Sequence, residues 1–321
     1  MAVKIETISA RNLEVVVALL QERTGTTPAY TRWKYGSSNG NCVGFVAFQD
    51  AQPVGCHGIL ARNLLLPDQS TIPFGWTADW YSSARAGASQ ASVATALLVA
   101  AARAYPLMFA QPKPLRARSL FQSAGFASIT FQSRRRLVFH RYRYQRARTR
   151  WFLKALWLTA WHTLHRKAEP PGSSVPNIAE ISPTSPAIFA DAEEYGRHIL
   201  AQPVSPLVRR STATWSGDEA EIVFMDDRFP NGDLRRRVLR SSGRGKFSPP
   251  NWHRFCVVSR NAGAVYLELF TTERDLDSVW ASLGATPYPD APILVRGKLP
   301  CPNLLLHGWD LETWTVISSI L

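Results

Sequence analysis

The residues best suited to chemistry stand in one stretch, residues 75–104. Residues 75–80 predict a β-strand, small residues occupy positions 82–89 except for Arg85, and an Ala- and Leu-rich run predicts a helix over about residues 90–104. The free N–H groups of a first helical turn and the helix dipole attract anions, and small side chains let the backbone approach a ligand closely. The pattern therefore predicts an anion site where this helix begins.

The charge of the chain is concentrated in and after this stretch. The formal net charge is +13, but residues 81–168 contain no Asp or Glu and 16 Lys or Arg side chains. The remaining residues hold 21 basic against 24 acidic side chains. Because solubility alone does not require this asymmetry, we interpret it as a preference for an anionic ligand or surface.

The sequence contains no other pattern that is typical of catalysis or metal binding. Its four cysteines form no close pair, so a zinc or redox motif is absent, and no Ser/His/Asp spacing is present. His57 alternates with Cys56 in a predicted strand, which favours a buried, hydrogen-bonded histidine over a catalytic one. We predict a cytosolic protein for three reasons. The cysteines are isolated, the N-terminus has no apolar core of a signal peptide, and no apolar run is long enough to cross a membrane.

The length of 321 residues, 45% of them hydrophobic, is enough for two domains with sizeable cores. A Pro- and Ser-rich stretch at residues 170–186 marks the boundary between them. We therefore predict one domain over residues 1–140, a basic, aromatic linker helix and boundary over residues 141–186, and a second domain over residues 187–321.

The predicted order of elements in the first domain is a helix, three antiparallel strands, a fourth strand, a helix, a strand, a short helix and a final strand. The strands predicted in the first domain lie at residues 43–48, 54–60, 64–66, 75–80, 106–110 and 129–139. In the second domain, residues 235–246 predict a basic loop, and residues 255–259 and 264–270 predict the two strands of a hairpin.

Four segments resemble the landmarks of one protein family. Residues 45–55 and 75–80 are similar to its second, third and fourth strands. Residues 89–94, followed by two leucines, occupy the place of its phosphate loop. Residues 117–126 are similar to its closing Ala-x-x-Leu-Tyr-x-x-x-Gly-Phe motif. On these landmarks, the first 140 residues or so resemble the GNAT superfamily of acyl-CoA-dependent N-acetyltransferases.

The resemblance implies a fold and a co-substrate. The implied fold is α/β (α+β), with a mixed, mostly antiparallel, twisted sheet flanked by helices and a second, diverged GNAT-like half. The run Trp33-Lys34-Tyr35 further resembles tandem-domain members, which are often associated with polysaccharide or cell-envelope chemistry. The implied co-substrate is an acyl-CoA, in the first place acetyl-CoA, and no metal is implied.

The resemblance also implies site residues. Asp79 is the implied base or amine-orienting group, and a carboxylate there could alternatively cap the next loop. The motif's tyrosine, which often protonates the leaving thiolate, is Phe121 here, so Tyr81 is the candidate replacement. The phosphate loop departs from the family's Gln/Arg-x-x-Gly-x-Gly/Ala pattern at Ser89 and Ser92. The implied acyl-CoA-binding residues are Trp80, Arg85, Ser89, Gln90, Ala91, Ser92, Val93, Ala94 and Arg116.

Three functions are open at this point. The first is direct transfer of an acyl group from acyl-CoA to an amine of a small molecule, a sugar or a cell-envelope precursor. The second is a catalytically degenerate GNAT-fold binding module. Phe121 and Ser92 favour it, because the Phe121 ring has no proton to give and Ser92 stands where the phosphate loop has its first glycine. The third is association with an anionic membrane or nucleic acid through residues 134–167, where aromatic and basic side chains interleave. The third function is compatible with the first.

Overall fold

The structure is a computed structural model, and it divides into two compact units. The first unit comprises residues 1–132, 187–206 and 289–321, and the second comprises residues 133–186 and 207–288. The described residues are 3–24, 27–36, 42–83, 90–112, 114–129, 132–140, 156–157, 160, 187–189, 209–229, 231–288, 292–299 and 304–305. Each unit thus draws on both halves of the sequence, whereas the sequence-based division placed one domain in each half.

The helices and strands are numbered along the chain. The strands are β1 (Val3–Thr7), β2 (Cys42–Gln49), β3 (Gln52–Leu65), β4 (Thr71–Ser82), β5 (Met108–Ala110), β6 (Ala127–Ser128), β7 (Ser133–Val138), β8 (Ala187–Phe189), β9 (Arg209–Gly217), β10 (Ala220–Arg228), β11 (Leu234–Ser242), β12 (Ala264–Thr271), β13 (Thr286–Pro287), β14 (Leu294–Arg296) and β15 (Leu304–Leu305). The helices are α1 (Leu13–Thr24), α2 (Pro28–Gly36), α3 (Gln90–Ala104), α4 (Leu115–Ser123), α5 (Pro249–Asn261) and α6 (Arg274–Ser282).

The first unit is built on a sheet with the strand order β1-β2-β3-β4-β5-β14-β6. Neighbouring strands in this order run antiparallel, except β4 and β5, which are parallel and are joined through α3. The helix packs Val93, Leu97, Leu98 and Ala101 into the core, at the spacing of one helical face. The run at residues 64–66, predicted as a separate strand, instead continues β3 as far as Leu65.

The second unit repeats this plan with the strand order β13-β7-β12-β11-β10-β9. Here β11 and β12 are the parallel pair, and α5 connects them. In each unit, a strand from elsewhere in the chain lies beside the second parallel strand: β14 beside β5, and β7 beside β12. The predicted fold class, a mixed and mostly antiparallel sheet with a similar second half, is confirmed.

Two predicted elements were wrong in type, and a third, predicted in the first domain, belongs to the second unit. The hairpin predicted over residues 255–270 is helix α5 followed by β12, because Trp252, Phe255, Cys256 and Ser259 bury one helical face. The loop predicted over residues 235–246 is largely strand β11. The strand predicted at residues 129–139 is observed as β7, and it belongs to the second unit.

The consecutive arginines of β7 are engaged in ion pairs within the second unit. Arg136 Nε lies 2.5 Å from Glu268 Oε2, Arg134 Nη1 lies 3.7 Å from Glu268 Oε1, and Arg135 pairs with Asp277. Burial alone would raise the pKa of Glu268, but the neighbouring arginines lower it overall. These arginines are therefore part of the unit's internal structure rather than a free basic surface.

The linker helix and the Pro- and Ser-rich boundary predicted over residues 141–186 lie outside the described residues, except for Leu156, Trp157 and Ala160, which are exposed. No helix within the described ranges is long and apolar enough to cross a membrane.

Candidate functional site

A cavity of about 320 Å³ opens in the first unit where β4, α3 and α4 meet. Strand β4 supplies its last residues, α3 supplies its first turns, and α4 supplies its exposed N-terminal face. The lining residues are Trp80, Tyr81, Ser82, Gln90, Ala91, Ala94, Pro114, Arg116, Ala117 and Leu120. The cavity thus lies at the helix start where the sequence predicted an anion site.

The wall formed by α3 is suited to a negatively charged group. The first turn of this helix contains no acidic residue, and its N–H groups have no acceptor within the helix. Ala91 and Ala94 present only methyl groups to the cavity, so a ligand can approach the backbone closely. Gln90 fixes the helix start to the strand end, because its Nε2 donates a hydrogen bond of 2.9 Å to Ser82 O.

A second wall carries the positive charge. Arg116, in the first turn of α4, is exposed and lines the cavity. A guanidinium group pairs well with phosphate, because its fork of N–H donors matches two phosphate oxygens. The α3 first turn and Arg116 together can therefore bind a phosphorylated ligand.

Strand β4 contains a bulge just before the cavity. Tyr81 pairs with Cys56 and Ala78 pairs with Gly58, so β4 has one residue more than β3 in this interval. Asp79 lies in the bulge with φ of 43°, a left-handed conformation that Asp tolerates better than most residues. The β4–β5 ladder ends at Trp76 and Phe109, so β4 continues past its parallel partner towards the cavity.

The indole of Trp80 is fixed on the cavity wall. Its Nε1 donates a hydrogen bond of 3.1 Å to Ala94 O, and its ring meets that of Phe121 edge to face at a centroid distance of 4.9 Å. Phe121 is 2% exposed and also packs on Phe126. The residue at the motif's tyrosine position therefore packs in the core and supports the cavity wall.

Asp79 is held by two residues of α2. Lys34 Nζ lies 2.5 Å from Asp79 Oδ2, and the Tyr35 hydroxyl donates a hydrogen bond of 2.8 Å to the same oxygen. Burial, followed by the charge of Asp79, raises the pKa of Tyr35 well above its usual value, which keeps the hydroxyl protonated. The predicted base is thus already ion-paired, and sequence reasoning did not foresee its partners.

The remaining predicted residues take different positions. Tyr81 borders the cavity, and its side chain packs on a cluster that includes Val16 and Cys56. Val93 is buried in the core, Ser92 is exposed, and neither belongs to the cavity lining. Arg85 and Ser89 lie outside the described residues. The donor-binding and catalytic roles assigned to all these residues stay predictions.

Sequence reasoning missed part of the cavity wall. Ser82, Pro114, Ala117 and Leu120 line it without having been assigned to the site. Two of them, Ala117 and Leu120, are fixed positions of the closing motif, so the motif itself could have identified them. In the described part of the chain, no group of three His, Cys, Asp or Glu side chains is placed to hold a metal ion.

Two solved structures are similar to this one over most of the chain. A GCN5-related N-acetyltransferase from Anabaena variabilis matches 94% of this chain and 74% of its own, with a TM-score of 0.56 and 11% identity. A probable N-acyltransferase from Enterococcus faecalis matches 92% of this chain and 72% of its own, with a TM-score of 0.55 and 8% identity. The chain has the GNAT fold. Because the sequence identities are only 8% and 11%, this similarity establishes the fold and does not establish an activity.

Sequence similarity and a structure that contains acetyl-CoA add nothing to the fold assignment. No family model matches the sequence, and no curated protein matches it. A structure from Clostridium acetobutylicum that contains acetyl-CoA covers 40% of this chain at 14% identity, but its TM-score of 0.32 is too low to support an inference about this GNAT-fold protein.

Proposed function

We propose that the protein is an N-acyltransferase that takes its acyl group from an acyl-CoA, with acetyl-CoA as the donor. The observation that supports this most is the cavity, which combines an acid-free helix start, an arginine and a bulged strand end in one place. A CoA thioester needs these features, since it carries a pyrophosphate, an extended amide-containing arm and a carbonyl that becomes an oxyanion.

Each part of the cavity has a role in this proposal. The N–H groups of the α3 first turn and the guanidinium of Arg116 bind the phosphates. The part of β4 beyond Trp76 offers main-chain groups to the amides of the donor's arm, as one strand does to another. The bulge places main-chain groups beside Trp80, where they can stabilise negative charge on the carbonyl oxygen.

The reaction itself is the aminolysis of a thioester. The amine nitrogen bonds to the carbonyl carbon, the carbon–sulfur bond breaks, and the proton lost by the amine is balanced by the one that the thiolate gains. Asp79 and Tyr81 are the proposed proton-transfer groups. The proposed acceptor is an amine of a small molecule, with amino sugars and cell-envelope precursors as the first compounds to screen.

Calorimetric titration of the full chain with acetyl-CoA tests the proposal. We expect one bound acetyl-CoA. Ala91→Glu should weaken binding about tenfold, because its longer side chain occupies the space at the helix start and its carboxylate repels a phosphate there. The fold should tolerate this change, since Ala91 is exposed and acidic residues stabilise a first helical turn. Thr95→Glu is the matched control, one turn later on the same helix and outside this cavity. Equal effects of the two variants, or no binding by the wild type, would contradict the proposal.

A binding module without catalysis is the second candidate. Two observations favour it: Asp79 is already ion-paired, and Phe121 cannot protonate a thiolate. Release of free CoA during incubation with a panel of amines separates the candidates. Steady release with any amine excludes the binding module, whereas binding of acetyl-CoA without release supports it.

Association with an anionic surface stays a prediction for residues 141–167, most of which lie outside the described residues. A salt series with anionic vesicles or nucleic acid tests it, because counterion release makes such binding fall steeply with salt. The predicted cytosolic location requires cell fractionation.

A further inference from the structure

Helix α2 carries a lysine that is entirely buried. The side chain of Lys34 is 0% exposed, and the rings of Tyr30 and Tyr35 lie 5.8 and 5.6 Å from its Nζ. An ammonium group in such a place is costly unless an opposite charge meets it. Asp79 supplies that charge, so the pair joins α2 to the bulge of β4 across 45 positions of sequence.

The second bond to Asp79 depends on a glycine in β3. A Cβ at Gly58 would lie 2.0 Å from Tyr35 Oη, so any other residue there would displace the hydroxyl. Gly58 therefore leaves the space through which Tyr35 reaches Asp79 Oδ2. Residues from three elements, α2, β3 and β4, are thus arranged around one carboxylate oxygen.

The carboxylate belongs to the residue that makes β4 irregular. Asp79 has a positive φ, and the extra residue of the bulge lies between Ala78 and Tyr81. A left-handed residue in a strand is strained and persists where its surroundings hold it in place. Lys34 and Tyr35 supply such restraint, and the next residue, Trp80, lines the cavity.

We propose that Lys34 and Tyr35 are positioning residues that fix the β4 bulge, and with it the main-chain groups that face the thioester carbonyl of the donor. This inference rests on the proposed function. Lys34 is not a catalytic residue, because its side chain is not exposed and cannot touch a substrate. It acts through Asp79, which holds the backbone of the bulge in addition to its proposed role in proton transfer.

The test uses acetyl-CoA labelled isotopically at the carbonyl and bound to the full chain. A main-chain donor at the carbonyl oxygen should lower its infrared stretching frequency in the wild type. Lys34→Met and Gly58→Ala should each abolish most of that shift and weaken acetyl-CoA binding about tenfold, which is the loss of one hydrogen bond, while CoA binding stays within about twofold. Arg32→Met is the matched control, because it breaks an exposed pair with Glu14 on the same helix.

A double variant separates positioning from stability. Lys34→Met leaves the Asp79 carboxylate without its positively charged partner and should lower the melting temperature. Lys34→Met combined with Asp79→Asn removes both charges and keeps a side chain that tolerates the positive φ at position 79, so it should regain part of the melting temperature without regaining the infrared shift. Recovery of the shift in the double variant would overturn the inference.

The outcomes also distinguish this inference from the proposed function. If the wild type does not bind acetyl-CoA, the proposed function fails, and this inference fails with it. If the wild type binds acetyl-CoA but shows no infrared shift, or if Lys34→Met retains the shift, the donor site stands and the positioning role is wrong.

Discussion

The two units share a fold but differ where the helix after the bulged strand begins. In the first unit, α3 begins with Gln90 and Ala91 and borders the cavity. In the second unit, α5 begins with Pro249 and Pro250, which have no N–H group to offer. A helix start that binds anions needs those N–H groups, so the second unit lacks what the first retains.

The residues just before α5 also make their hydrogen bonds and ion pairs with other parts of the second unit, which leaves less room for a ligand. The Gly245 N–H donates a hydrogen bond to Glu219 O, and Lys246 Nζ lies 2.7 Å from Glu273 Oε1. The Trp252 indole donates to Lys246 O at 2.7 Å. Gly243 approaches so closely that a Cβ there would lie 2.1 Å from Glu219 O. The backbone of this segment and the side chain of Lys246 are therefore committed to internal contacts.

This difference shows that the fold and the site are separable. Both units contain a parallel strand pair joined through a helix, and both have a bulge in the first strand of that pair, at Asp79 in β4 and at Leu239 in β11. The proposed donor chemistry depends on the helix start and the loop, which the fold does not specify. We therefore expect one acyl-CoA per chain, bound by the first unit.

The largest effect is expected from dividing the chain in the middle. A fragment of residues 1–140 lacks β14, whose neighbours are β5 and β6 and whose Leu294 is 0% exposed. The gap would leave the edges of β5 and β6 unpaired, so we expect the fragment to show no cooperative thermal unfolding by circular dichroism.

A matched fragment tests the reason for that failure. Residues 1–132 joined by a flexible linker to residues 289–299 restore β14 as the antiparallel neighbour of β6, and cooperative unfolding should return. Cooperative unfolding of the simple 1–140 fragment would show that the first unit does not need the distant strand.

Much of the first unit could be predicted because its signals are local. Helix α3 was predicted at residues 90–104, where it is observed, since its apolar residues recur at helical spacing. The structure has a cavity at the helix start where an anion site was predicted, since a strand end and a helix start are close together in the sequence. Local signals also misled: Phe255 and Cys256 suit a strand as well as a helix, and tertiary packing decided between them.

The contacts that could not be predicted are those between distant positions. No local pattern marks Lys34 as the partner of Asp79, or Arg135 as the partner of Asp277, 142 positions later. The strand β7 was recognised as a strand, but the acids that neutralise its arginines lie in the other half of the sequence. The sequence therefore showed that these residues are basic, but it did not show that distant carboxylates pair with them, and the expectation of a free basic surface at β7 was wrong.

The two units also differ in how completely their buried polar side chains are hydrogen-bonded. The second unit buries Arg236 with Asp226 through two hydrogen bonds of 2.7 Å. The first unit buries His57 with Nε2 lacking a hydrogen-bond partner and Nδ1 lying 3.4 Å from Leu97 O. The predicted buried histidine is confirmed, but its hydrogen bonding is incomplete.

The burial of His57 with incomplete hydrogen bonding should make the stability of the protein depend on pH. Burial lowers the pKa of His57 from 6.5 to about 4, so below pH 6.5 the unfolded chain takes up a proton that the folded chain does not. The free energy of unfolding should therefore fall as pH falls from 6.5 towards 4, by about 3 kcal/mol from this group. Denaturant titrations of the wild type and His57→Leu at pH 7 and pH 4.5 measure it. A pH dependence that is the same in both proteins would contradict the assignment to His57.

The smallest effect concerns the charge of the proposed donor site. Arg116 is exposed, so water and salt screen its attraction for a phosphate. We expect Arg116→Gln to weaken acetyl-CoA binding about threefold at low salt, and less at high salt. The matched control is Arg103→Gln, in the last turn of α3, which removes the same charge outside the cavity. A larger loss with Arg116→Gln than with Arg103→Gln would locate the phosphates at the α4 wall. Equal losses would mean that the basic stretch attracts the donor only through its total charge. The expected preference of acetyl-CoA for the first unit over the second would then depend on the first turn of α3 alone.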